Sequence, residues 1–182
     1  MAGATGGDKA KAALAKIAAK VGSVPNLRVG FLEKTKYPNG TSVAMVAAIQ
    51  EFGAPSVGIP PRPFFRPMIA AHKNEWGPAV AKMMKANGNN VEASLRAVGK
   101  VIAGDLAQAI VDVSAPPLGP VTLMLRKMKQ QDPSLRNNMS YSVVMQARAR
   151  VAAGKSYSGV SIKPLIDTGF LIGSIGVEVQ MK

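Results

Sequence analysis

Apolar and polar positions recur with two different periods along this chain, and the switches between them mark its elements. From Asp8 to Val21 the apolar residues Leu14, Ile17 and Val21 fall on one side of an Ala/Lys helix, with Asp8 placed as its cap. Gly22 and Pro25 end it. Leu27-Arg28-Val29-Gly30-Phe31 then alternates apolar with non-apolar residues, the period of a half-buried strand. Lys34–Gly40 is turn chemistry, closing on Asn39-Gly40. Ser42 is placed to cap a helix over Val43–Gln50. A further helix over Pro67–Ala86 puts Ile69, Trp76, Val80, Met83 and Met84 on one face, and Gly77-Pro78 is expected to kink or split it near Trp76. Asn87–Asn90 breaks the pattern. Val91, Leu95, Val98, Ile102, Leu106, Ile110 and Val113 form the cleanest amphipathic stripe, and Ser114-Ala115-Pro116-Pro117 stops it. Near the C-terminus Asp167 or Thr168 is placed to cap a short turn. Ile175, Val177 and Val179 then alternate with Gly176, Glu178 and Gln180 as a final strand.

These elements predict an α+β fold in one domain over residues 1–182. A small, mainly antiparallel sheet, built from the strand near 26–33 and the C-terminal strand, is covered by two long helices at 67–86 and 91–113, because a sheet with one apolar face needs a cover. An N-terminal helix and a long basic insertion complete it.

The stretch Gln50–Ile69, QEFGAPSVGIPPRPFFRPMI, interrupts the helical pattern. Pro60, Pro61, Pro63 and Pro67 each fix φ and remove an N–H, which holds the backbone extended. Gly53 is placed for a left-handed helix cap, and Pro67 for the first position of the next helix. Phe64 and Phe65 are adjacent, so on an extended backbone they point to different sides. One ring enters the core and the other is free to meet a partner, with Arg62 and Arg66 as a polar rim. The stretch reads either as a rigid surface connector or as a pre-ordered contact loop that binds at little entropic cost.

Composition narrows the function. The net charge is +13 and there is no cysteine, which removes disulfide and thiolate chemistry and fits assembly in a reducing cytosol. Nearly half the residues are apolar, enough for a real core. No apolar run approaches the roughly 20 residues of a membrane span, and the N-terminal stretch does not read as a signal peptide. The charge is uneven. Between 120 and 163, Arg126, Lys127, Lys129, Arg136, Arg148, Arg150, Lys155 and Lys163 face the single acid Asp132. This segment, an extended basic loop or arm at 120–162, includes a helical turn at Leu123–Lys129 and a basic hairpin or helix at Asn138–Val151. Three readings of the arm stay open: solvated, docked on an acidic neighbour, or in sequence-independent contact with nucleic acid.

Catalytic chemistry finds little support. His72 is the only histidine, and the ten acids are scattered with no close pair for general acid–base work. A zinc site would need several carboxylates, and no phosphate-binding or dinucleotide fingerprint is present. Asp167-Thr168-Gly169 matches the aspartic-protease triplet over three residues only, and reads better as a helix cap. No enzyme activity and no cofactor are expected.

Three motifs carry a family resemblance. The run TSVAMVAAIQEFGAPSVGIPPRPFFRPMI resembles the neck and tail-completion proteins of tailed phages, namely the small tail components of lambda-like genomes and the virion morphogenesis proteins of Mu-like phages. KPLIDTGFLIGSI at Lys163–Ile175 is similar to the family's "PL-DTG-L--SI" segment, and Ala115–Pro120 to its "PPL-P" segment. The three stand in the family's order and span most of the chain. The family passes between the last two motifs through a short basic linker; here about forty residues intervene. The resemblance implies a structural virion protein assembled in the host cytoplasm: a ring-forming subunit, sixfold like tail tubes, that joins the tail tube to the head-side connector. Its implied partners are its own copies, neighbouring connector, tube or terminator proteins, and the genomic DNA in the channel. Its implied interface is Glu51, Phe52, Gly53, Arg62, Pro63, Phe64, Phe65, Arg66, Asp167, Thr168 and Gly169, with the basic arm beside it. A tail terminator, a head-side stopper and a basic DNA-binding accessory protein are the alternatives.

Overall fold

A computed structural model describes residues 25–136 and 139–180. The helix expected over Asp8–Val21 lies outside them. Strand β1 (Asn26–Phe31) pairs antiparallel with β2 (Ile175–Gln180) in a two-stranded sheet. Between them in sequence come α1 (Val43–Phe52), α2 (Phe65–Ala86), α3 (Val91–Asp112), α4 (Pro120–Gln131), α5 (Tyr141–Ala152) and the single turn α6 (Phe170–Gly173). The fold is α+β, as the two periodicities require.

The register explains why the sheet has one wet and one dry face. Leu27, Val29 and Phe31 stand opposite Val179, Val177 and Ile175, while Arg28 stands opposite Glu178. Cross-strand partners share a face, so all six apolar side chains fall together. Helix α3 lies on that face and buries Val98, Ile102, Leu106 and Ile110. Gly99 sets how close it comes. A Cβ there would stand 2.5 Å from Val177 Cγ1 and 2.8 Å from Leu27 Cδ1, so only glycine lets the helix rest on the strands.

The second long helix departs from expectation in three ways. It packs along α3, which leaves the sheet mainly to α3. It begins at Phe65, so Pro67 is its third residue, not its first. First-turn N–H groups have no acceptor within the helix, so a proline costs little there. It also runs through Pro78 unbroken. Proline removes one internal bond, but Asn74 and Pro78 both lie on the exposed side, where water reaches the freed carbonyl.

The segment 120–152, expected as an extended arm, is a helical hairpin. Met124 and Met128 of α4 pack with Val143 and Ala147 of α5 in a small core separate from the main one. Leu135 and Tyr157 pack against it. The chain then returns to where it left: Lys163 Nζ donates to the Val111 carbonyl at 3.0 Å.

Candidate functional site

The proline-rich loop is clamped by a single carboxylate. Glu51 sits in the last turn of α1 and is 4 % exposed. Its Oε2 accepts from the backbone N–H of Phe64 (2.7 Å) and Phe65 (2.9 Å). Its Oε1 accepts from the N–H of Arg66 (3.2 Å) and from Arg66 Nε (2.8 Å). These are the free donors at the start of α2, where a negative charge is also favoured by the helix dipole. Burial pushes the carboxyl up, but the Arg66 guanidinium and the three backbone donors outweigh it and hold Glu51 below its ordinary value.

The loop is also closed on itself. Arg62 N–H donates to the Gln50 carbonyl at 2.7 Å, and Ala54 N–H to the Ile59 carbonyl at 2.8 Å. Gly53 has φ 77° with ψ 175°, a conformation reserved for glycine but not the left-handed cap expected. A Cβ on it would stand 2.8 Å from Pro61 N.

The structure redistributes the expected anchors. Phe64 is 2 % exposed and packs edge-on against Phe31 and Phe65. Phe65 is half-buried, its ring 3.4 Å from where a Gly30 Cβ would stand. Neither ring is the free one. That ring is Phe52, 62 % exposed, with the Arg66 guanidinium 4.7 Å over its face. Met45, seven residues earlier on the same face of α1, is exposed too, as is Val57 at the loop tip. Pro63 lies exposed. Arg62 is not a rim residue but an internal latch: it is 7 % exposed and donates through Nε to Pro116 O at 3.0 Å and through Nη2 to Pro117 O at 3.5 Å. Two of the resembling motifs thereby touch. Nothing in the sequence distinguishes Arg62 from Arg66; burial separates them, and burial also pulls the Arg62 guanidinium below its ordinary value.

The basic segment divides in the same way. Arg126 is 8 % exposed. It donates to the carbonyls of Ser161 (2.7 Å), Lys163 (2.8 Å) and Pro164 (3.1 Å). Burial lowers its pKa, Asp167 opposes that, and the nearby charge of Arg62 adds to it. Lys129 Nζ lies 3.0 Å from Asp167 Oδ2, and Arg126 Nε lies 3.6 Å from Asp167 Oδ1. Thr168 Oγ1 accepts from Phe170 N–H at 3.4 Å in a local turn. The capping residue of α6 is Gly169 (φ 75°), with no side-chain cap, and not the expected Asp167 or Thr168; Asp167 pairs with the hairpin. Arg136, Arg148, Arg150 and Lys155 are exposed and Lys127 is half-buried. Arg148 and Arg150 sit two apart on α5 and so point to different sides of it.

Among the described residues no group of histidine or carboxylate side chains is placed to hold a metal ion, and no helix is long and apolar enough to cross a membrane. No protein-family model, curated protein or solved structure matches this chain.

Proposed function

We propose that this chain is a structural subunit of a tailed-phage virion, a ring-forming neck or tail-completion protein that joins the tail tube to the head-side connector. The observation that carries the reading is the Glu51 clamp. It spans the run in which the resemblance is longest and fixes the loop beside an exposed, cation-capped ring, that of Phe52 at the end of α1. A contact surface held rigid before binding loses little entropy on assembly. Closed rings are built from heterologous contacts, in which one patch meets a different patch on the next copy. Met45, Phe52 and Val57 with Arg66 supply one such patch, and the basic hairpin supplies another for an acidic neighbour. On this reading the protein works by assembly and not by turnover, its copies gather in the virion, and Phe52 takes the anchoring role expected of Phe64 or Phe65. Imaging particles from an infection that lacks this one gene tests it. DNA-filled heads beside separate, complete tails are expected. Tails of uncontrolled length would move the protein to a terminator role, and normally joined virions would overturn the structural reading.

A second reading, a DNA-binding accessory protein, draws on Tyr141, Arg148 and Arg150, all exposed on α5. A salt-sensitive shift of duplex DNA by the isolated protein would favour it.

A further inference from the structure

We propose that the cleft between the helical hairpin and the main domain binds an extended polypeptide segment in which an acidic side chain stands beside an apolar one. The cleft measures about 620 Å³ and opens into a polar recess of about 260 Å³; the two share Lys129, Arg136, Asp167 and Thr168. Its walls differ in chemistry. The main domain contributes Tyr37, Pro38, Val46, Leu165 and Phe170. The Tyr37 and Phe170 rings lie 4.8 Å apart and 30° from parallel, so they stack on one another, and the wall they form with Pro38, Val46 and Leu165 is apolar but not flat. The hairpin contributes Arg126, Lys129 and Arg136.

Three cations there face one carboxylate, Asp167. Arg126 is engaged by backbone carbonyls. Lys129 directs one of its three donors to Asp167. Arg136 is exposed, with no ion-pair or side-chain hydrogen-bond partner among the described residues. An incoming carboxylate is therefore met by the Arg136 fork and a remaining Lys129 donor, the geometry that guanidinium recognises best. The apolar wall selects among ligands. An inorganic anion would leave it uncovered. A nucleic acid can bring a base to it, but the two aromatic rings are half-buried and stacked on each other. The rest of the wall is aliphatic, which suits an aliphatic side chain better than a base. An extended peptide places side chains of the same face about 7 Å apart, so one carboxylate and one apolar side chain reach both walls together. The net charge of +13 favours an acidic partner at longer range. This inference does not depend on the virion reading, since the cleft would serve any acidic segment.

The test is an array of pentapeptides with a central Asp or Glu flanked by every pairing of Leu, Ile, Val and Phe. Asn and Gln counterparts serve as controls, and the labelled full-length protein is the probe. Acidic peptides are expected to be retained at least about tenfold better than their amide counterparts. Arg136→Ala, at an exposed position, should abolish that preference. Arg148→Ala, outside the cleft, should keep it. Equal retention of acid and amide, a preference that survives Arg136→Ala, or no retained peptide would each overturn the proposal. So would displacement by inorganic phosphate at matched ionic strength as effective as that by free peptide, which would mark a plain anion site.

Discussion

The loop at 53–66 and the strap at 161–169 are each held by one buried ion, and the two ions have opposite sign. Glu51 gathers backbone donors, whereas Arg126 gathers backbone acceptors. The carboxylate works at the start of a helix, where N–H groups lack partners by geometry. Its partners lie 13 to 15 residues ahead in sequence. The guanidinium holds a strap without regular structure, 35 to 38 residues away. One clamp is thus completed by elements of the main core itself. The other exists only once the hairpin has folded and docked. The proline-rich loop should be as stable as the core, and the strap only as stable as the hairpin.

The largest way to break that contrast is Glu51→Ala. It leaves three backbone donors at the start of α2 without their acceptor, while the Arg66 side chain is 60 % exposed and stays solvated. It should cost about 3 kcal/mol at neutral pH in denaturant unfolding. A loss under about 1 kcal/mol would remove the clamp from the argument. The pH dependence sharpens it. Because Glu51 is held below its ordinary value of 4.5, its contribution is complete above that value and fades as pH falls through the lower folded pKa. Wild type and Glu51→Gln should therefore differ at neutral pH and converge on acidification; a constant gap would contradict the assignment.

Arg126→Met comes next, at about 2–3 kcal/mol. Two of the three freed carbonyls belong to residues near the surface, since Lys163 is exposed and Ser161 half-buried, while Pro164 is buried; loss of the cation also relieves Arg62. Amide exchange should quicken across 161–169 and stay unchanged at 64–68. Equal quickening at both places would make the two clamps one cooperative unit. The smallest effect on stability belongs to Phe52→Ala, within about 0.5 kcal/mol. On the proposed ring-subunit reading it should nonetheless weaken association of the purified protein with itself, as read by sedimentation. Unchanged association would leave the loop a connector.

Much of the fold was legible because its periods are clean. Both strands, the Ser42 cap and the 91–112 helix follow from local spacing. The hairpin was legible in part: Val121, Met124, Leu125 and Met128 make a helical stripe in α4, and the helical turn expected at Leu123–Lys129 lies inside it. That α4 packs with α5 on one side while Arg126 is buried against the strap on the other follows from contacts that no local period encodes. The side chains of the candidate site were harder still. Arg62 and Arg66 carry the same charge four residues apart, yet one is an internal latch and the other caps an exposed ring. That choice depends on where Pro116 and Pro117 return, which no local pattern encodes. Glu51 read as part of a motif, but its role as a helix cap is visible only when α2 is seen to start two residues early.

The contact between Lys163 and the Val111 carbonyl means that the hairpin leaves and re-enters the domain at nearly one place. Excursions with adjacent ends are the kind a protein can exchange without rebuilding its scaffold. A short splice across this neck would spare the sheet, α3 and the Glu51 clamp, while a different hairpin grafted there would give the same body another docking partner. The forty-odd residues of the hairpin and its return are thus placed as a replaceable module, and the Arg126 grip on the strap is what ties that module to its host.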